Sequence, residues 1–164
     1  MKKIREAQQE DMVDIYMMGY DVWGDNLPSE EYVAMCQNSK KYKKAKWYIL
    51  EETDTKELLS SLIIYDLSPS QDEIVKGVGS IATPLHLRNN GYASLLVKET
   101  IEEMELKENS SHFFLYSDIG TDFYKKLGFV VLPKEKQRYK DSVCMYHSKI
   151  NDVGTILFDI PNYF

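Results

Sequence analysis

Residues 74–82 alternate, and Ile74, Val75, Val78 and Ile81 are β-branched, so the stretch reads as a strand. Thr83-Pro84 ends it, because Pro84 has no backbone N–H to offer a ladder. From Gly91 the period changes. Ala93, Leu96, Val97, Thr100, Ile101 and Met104 recur at spacings of three and four, which predicts an amphipathic helix. The centre of the chain is therefore strand, short loop and helix, with Arg88-Asn89-Asn90-Gly91-Tyr92-Ala93 at the helix entrance.

The flanking pattern extends this unit. Residues 3–7 alternate as a first strand. Asp11 stands where a cap belongs for a helix that turns Met12, Ile15, Tyr16 and Gly19 inward. Residues 24–28 interrupt it. Ser29 is placed to cap a second helix, with Glu30 and Glu31 in its first turn and Tyr32, Met35, Cys36 and Ser39 as its inner stripe. The lysine-rich run 40–46 reads as a solvated helix end and loop. Residues 47–50 and 58–67 read as a strand hairpin, and 69–72 as a turn. Further strands are expected at 112–116, 129–132 and 142–149, with an apolar edge strand at 155–160. Thr121 or Asp122 caps a short helix through Leu127, on which Phe123 packs on the sheet and its neighbour Tyr124 faces elsewhere. Gly128 follows where positive φ is common. The sum is an α+β (mixed α/β) domain spanning 1–164, with a mostly antiparallel central sheet and helices on both faces.

Composition narrows the classes. With 43% hydrophobic and 28% charged residues, the chain is an ordinary globular protein with enough length for a core. A net charge of -6 and no basic run beyond 40–46 argue against nucleic acid as the main partner. Cys36 and Cys144 are too few for a disulfide framework and read as reduced thiols of a cytoplasmic protein. No leader or bilayer-length apolar run is expected, so no membrane partner is expected. No Cys/His cluster has metal-ligand spacing, so no metal is expected.

The helix entrance carries the chemistry. The first turn of a helix has N–H groups without intrahelical partners, and the macrodipole adds partial positive charge. A loop wrapping into it offers several N–H groups to one anion, typically a phosphate. Gly91 permits positive φ and close approach, Ala93 is small, and Arg88 adds a forked donor.

Arg88-x-x-Gly91-x-Ala93, between strand and helix, resembles the acyl-coenzyme A loop of the GNAT superfamily of N-acetyltransferases. Phe123-Tyr124-Lys125-Lys126-Leu127-Gly128-Phe129 resembles the second signature of that family. Thr83-Pro84, Gly91-Tyr92-Ala93-Ser94 and residues 115–120 look most like its fungal lysine N-acetyltransferase branch. The resemblance implies a single acyl-CoA N-acyltransferase domain, acetyl-CoA as cosubstrate, and a small-molecule primary amine that attacks directly in a ternary complex. It implies a monomer or homodimer. It places the pyrophosphate on the backbone of Arg88, Asn89, Asn90, Gly91, Tyr92, Ala93 and Ser94. Ser80, Ile81 and Ala82 would pair with the pantetheine arm and face the thioester oxygen. Ser117, where the family often has Asn, would touch the same arm. Tyr124 would protonate the leaving thiolate, since a phenol with a reference pKa of about 10 is protonated at neutral pH. Trp23, Asp25 and Glu31 are the acceptor-side candidates, an aromatic with acidic neighbours suiting a cationic amine. A general base is sought among Asp25, Glu31, His86 and Asp118. His112 and His147 sit in strand patterns and read as structural.

Two other readings stand beside this one. Gly77-x-Gly79-x-x-Ala82 formally matches a dinucleotide fingerprint, but its glycines lie inside a strand and Thr83-Pro84, not a helix, follows. A catalytically silent coenzyme A-binding or interaction module on the same fold is the other, and Tyr124 argues against it.

Overall fold

The computed structural model describes residues 1–149 and 152–164. Its strands are β1 (Lys2–Glu6), β2 (Lys46–Glu52), β3 (Leu58–Asp66), β4 (Val75–Ala82), β5 (His112–Ser117), β6 (Val130–Val131) and β7 (Val143–His147). Its helices are α1 (Met12–Met18), α2 (Tyr20–Trp23), α3 (Ser29–Gln37), α4 (Lys40–Lys43), α5 (Tyr92–Lys107) and α6 (Asp122–Lys125). Among the described residues the strands form a seven-stranded sheet in the order β1-β2-β3-β4-β5-β7-β6. β1–β2, β2–β3, β5–β7 and β6–β7 are antiparallel, and β4–β5 is parallel. The chain makes two compact units, residues 1–64 with 80–100, and residues 65–79 with 101–164.

In the first unit, Trp47, Tyr48, Ile49 and Leu50 of β2 are all buried, so the strand is covered on both faces and loses the alternation of a half-exposed one. Ile15, Tyr16 and Met18 of α1 and Tyr32 and Cys36 of α3 complete this core. Helix α3 begins after Pro28, whose fixed φ suits a helix start, and Ser29 makes no side-chain cap. The expected stripe is narrower than its spacing implies: Met35 is 52% exposed.

Asp11 does not cap α1 either. Its buried carboxylate accepts two bonds from the Arg5 guanidinium, at 2.7 and 2.9 Å, and one from the Gln8 N–H at 2.7 Å. Arg5 Nε reaches Glu51 at 2.5 Å. The hydrogen bonds from Arg5 hold both carboxyls below their ordinary values. That depression stabilises the fold above the ordinary carboxylate range, about pH 4, and the stabilisation is lost as pH falls through the lowered folded values. Asp11→Asn removes a charge-assisted pair and should cost about 1.5–3 kcal/mol at pH 7. Urea unfolding at pH 7 and pH 3 checks this: the difference between variant and wild type should shrink at the lower pH.

In the second unit, Val75, Phe114, Leu132, Cys144, Tyr146, Ile156 and Ile160 form the core, with Leu67, Tyr116, Phe158 and Phe164 packed against it. The edge strand expected at 155–160 is absent from the described strands. The chain makes a short 3-10 turn, Val153–Thr155, and then runs irregularly. Its apolar residues reach the core by dropping Ile156 and Ile160 inward, which needs no ladder. Tyr116 Oη donates to the Pro161 carbonyl at 2.5 Å and holds this strap. A Cβ on Gly77 would lie 2.6 Å from the Phe164 ring and 2.8 Å from Leu67, so that glycine seats an aromatic side chain.

The β4–β5 ladder pairs Val75, Lys76 and Gly77 with His112, Phe113 and Phe114. In this unit the pairing ends there, although β5 continues to Ser117.

Candidate active site

The loop before α5 is shaped by short-range bonds. Residues 85–87 make one 3-10 turn closed by Leu87 N–H to the Pro84 carbonyl at 2.8 Å. The Asn90 side-chain amide donates to the Leu87 and Arg88 carbonyls at 3.0 and 3.2 Å and pins the turn. Asn89 and Gly91 then take positive φ, +65° and +78°. The first helical bond runs from Leu95 N–H to the Gly91 carbonyl at 3.0 Å. Among the described residues, the backbone N–H groups from Asn89 to Ser94 have no hydrogen-bond acceptor. A Cβ on Gly91 would meet nothing within 4 Å, so the space over the loop is open. Unpartnered N–H groups at a helix start, facing open space, fit a pyrophosphate.

Arg88 adds less than its charge promises. Its guanidinium donates to the Thr83 carbonyl at 3.0 Å and to Asp21 at 2.8 Å, and the second bond holds the Asp21 carboxyl below its ordinary value. The Arg88 backbone N–H is also taken, donating to the Leu85 carbonyl at 3.4 Å.

At the end of β4, Ser80 has φ +44°, a left-handed conformation rare for a non-glycine residue inside a strand. It interrupts the regular extended run of β4 two residues before the strand ends at Ala82. The Ser60 hydroxyl donates to the Ala82 carbonyl at 2.8 Å and fixes the strand's far side. Ile81 lies between them, half-buried.

The acceptor-side candidates separate. Trp23 is 44% exposed and lies over Gly19, where a Cβ would sit 2.1 Å from its ring. It shares a small cleft with Ser80 and Ala82. Asp25 lies in a different, open groove with Tyr20 and Asp21. Glu31 is exposed on the first turn of α3 and lines neither. The cleft is instead lined by Tyr16, Tyr32, Cys36, Tyr42 and Trp47. Tyr42 comes from the lysine run, where an isolated aromatic between charges was the available signal that one face of that run is not solvated.

In the second unit, Tyr124 is half-buried, with ring centroids 5.1 Å from Phe123 and 6.4 Å from Phe129. The expected division between the two aromatics is reversed: Phe123 is 40% exposed, because α6 is four residues long and presents it outward. Burial pushes the Tyr124 phenol above its ordinary value, and the Asp118 carboxylate pushes it the same way. Asp118 accepts a hydrogen bond from Tyr163 Oη at 2.9 Å. The buried Ser117 hydroxyl donates to the Gly120 carbonyl. His112 Nδ1 shares a hydrogen bond with Tyr146 Oη at 2.7 Å, and His147 packs on Phe129 and Phe113. His86, in the first unit, is exposed and 3.7 Å from Glu57. No group of three His, Cys, Asp or Glu among the described residues could hold a metal ion, and no described helix is long and apolar enough to cross a membrane.

A mostly antiparallel seven-stranded sheet with these helices and a strand–loop–helix unit at its centre defines the class of protein. The acetyltransferase (GNAT) domain profile matches residues 3–132, and the chain belongs to that family. It is an acetyl-CoA-dependent N-acetyltransferase. No curated protein sequence matches the chain. Among solved structures it is similar to spermidine N-acetyltransferase from Vibrio cholerae in complex with CoA and spermine, at 14% identity and TM-score 0.67, covering 92% of this chain and 96% of that one. It is also similar to an acetyltransferase of the GNAT family from Streptococcus pneumoniae, at 17% identity and TM-score 0.59, covering 90% and 99%. At these identities the likeness carries the fold. Neither comparison supports the narrower placement in the fungal lysine branch.

Proposed function

We propose that the protein moves acetyl from acetyl-CoA to the primary amine of a small cationic acceptor by direct attack in a ternary complex, with residues 1–164 acting as one catalytic domain. The carrying observation is the row of unpartnered backbone N–H groups from Asn89 to Ser94 over open space. These groups hold the pyrophosphate. The kinked backbone at Ser80, Ile81 and Ala82 lies along the acyl arm, with an N–H near Ile81 as donor to the negative charge that builds on the thioester oxygen. Tyr124 gives its proton to the departing thiolate. Ser117, held on Gly120, shapes the loop beside that helix and contacts the acyl arm through its backbone.

The acceptor class rests on the net charge of -6, on the open groove carrying Asp25, and on the polyamine bound by a structural relative. Release of free coenzyme A measured across spermidine, lysine, aniline (neutral at pH 7) and glutamate tests it. Cationic acceptors should exceed the others in kcat/KM by about tenfold, the worth of ~1.4 kcal/mol of charge complementarity. Turnover only with neutral or acidic acceptors would show the acceptor class to be wrong. Binding of acetyl-CoA without release to any amine would favour the silent module.

A further inference from the structure

The loop before α5 is held in its shape partly from outside itself. Asn89 and Gly91 both stand in the left-handed region. For Asn89, which has a side chain, that conformation costs free energy and persists only where the surroundings fix it. Two side chains do the fixing. Asn90 bonds back to the Leu87 and Arg88 carbonyls, within the loop. Arg88 ties the loop outward: its Nε donates to the Thr83 carbonyl at 3.0 Å and its Nη2 to Asp21 Oδ1 at 2.8 Å. Thr83 is fixed in turn, its hydroxyl hydrogen-bonded to that of Ser60 on β3 at 3.0 Å. Asp21 lies 67 residues before Arg88, on α2.

Asp21 is the anchored end of this bond. The Trp23 N–H donates to the Gly19 carbonyl at 2.8 Å and the Gly24 N–H to the Tyr20 carbonyl at 2.9 Å, so α2 is closed on both sides of Asp21. Tyr20 Oη donates to the Leu27 carbonyl at 2.5 Å, and its ring packs on Tyr32 of α3 with centroids 5.3 Å apart. The loop has no such anchorage beyond Arg88, since the N–H groups that follow lack acceptors. We propose that Asp21 is a positioning residue for the cofactor: through Arg88 it holds the loop entrance so that the N–H groups from Asn89 to Ser94 converge on the pyrophosphate. The inference rests on the acetyltransferase reading given above and gives the Arg88 side chain a role other than phosphate contact.

A competing role has the opposite sign. An ion pair that only withheld Arg88 from the phosphate would, once broken, free a forked cationic donor, and binding would tighten. If Asp21 positions the loop, breaking the pair loosens the row of N–H groups and binding weakens. The geometry favours positioning. Arg88 keeps its second bond, to the Thr83 carbonyl at the end of β4, when Asp21 is gone, so the guanidinium is not released toward a ligand. What is lost is the fixed point on α2. A long side chain tied at one end only regains rotamer freedom, and the backbone it carries regains it too. The two side chains are 32% and 39% exposed, which sets the scale at that of a partly solvated pair, about two- to fivefold in an equilibrium constant.

The test is calorimetric titration with acetyl-CoA of wild type, Asp21→Asn, Arg88→Met and the double variant Asp21→Asn/Arg88→Met, beside thermal unfolding of each free protein. Asp21→Asn should raise Kd about two- to fivefold. In the Arg88→Met background the same substitution should have no further effect, because the bond it breaks is already gone. Coenzyme A release with the best acceptor should show KM for acetyl-CoA rising with Kd, and by more than kcat falls. A packing role alone would lower the melting temperature without that split. Unchanged or tighter binding in a folded Asp21→Asn, or an equal loss in both backgrounds, overturns the positioning role and leaves the acetyltransferase reading standing, since wild type still binds acetyl-CoA. If Asp21→Asn does not fold, wild-type Kd in Arg88→Met overturns the role by itself. Failure of wild type to bind acetyl-CoA overturns the role together with the reading it rests on.

Discussion

Gly91→Val should abolish the rise in melting temperature that acetyl-CoA produces in the wild-type protein. A ligand that binds only the folded state stabilises it by about 2.7 kcal/mol at a hundred times its Kd. For a domain of this size about 1 kcal/mol corresponds to roughly 2–4 °C, so the wild-type shift should be about 5–10 °C. The valine acts in two ways. At φ +78° a β-branched side chain is strained by about 1–2 kcal/mol, which pulls the loop out of the left-handed turn. Its bulk also points into the open space over the loop, where a pyrophosphate must approach. The strain alone lowers the melting temperature of the free protein by a few degrees. Loss of the ligand shift is separate and is read by titrating each protein with acetyl-CoA. NAD should shift neither. A folded Gly91→Val that keeps the full acetyl-CoA shift would remove the loop from the site.

Tyr124→Phe should lower kcat by about a hundredfold while acetyl-CoA affinity stays nearly constant. General acid groups contribute roughly 10²–10⁴-fold, and a thiolate leaves fairly well unaided, which sets the low end. The ring stays, with its contacts to Phe123 and Phe129, so the melting temperature should hardly move. Burial and the Asp118 carboxylate raise the phenol's pKa, so the proton donor is present through neutral pH and is lost only as pH rises through that raised value. The basic limb of kcat in wild type should therefore lie above the ordinary tyrosine value of about 10. Asp118→Asn removes one of the two raising causes and should bring that limb down. Wild-type turnover in Tyr124→Phe, measured where chemistry limits the rate, would leave Tyr124 a packing residue and water the proton donor. A strong loss of kcat would also dispose of a silent module.

What was legible and what was not follows the range of the forces involved. The parallel β4–β5 ladder and its end at Gly77 join residues far apart in the chain, so neither could be read from a window of sequence. The same holds for Asp11. Its position before an apolar repeat is that of a cap, but Arg5 comes within 2.7 Å of it through the β1 turn and outcompetes the helix end. Phe123 and Tyr124 are adjacent and both aromatic. Which one is buried depends on the length and tilt of α6, and neither is written in their identity.

The sequence by itself determined the strand, loop and helix around Gly91, because a proline stop, a glycine at positive φ and a change of period from two to 3.6 are local properties. With the second signature at Tyr124 it also determined the family, as the match over residues 3–132 shows. Only the tertiary structure decided that the Arg88 side chain is committed to Asp21 and Thr83. It likewise turned the apolar residues 155–160 into a strap over a core, not a strand. It alone brought Tyr16, Tyr42 and Trp47 to the kink at Ser80. Aromatic contacts of that kind are set by where three separate elements pack, and hydrophobic burial is non-directional, so no spacing along the chain encodes which rings will meet.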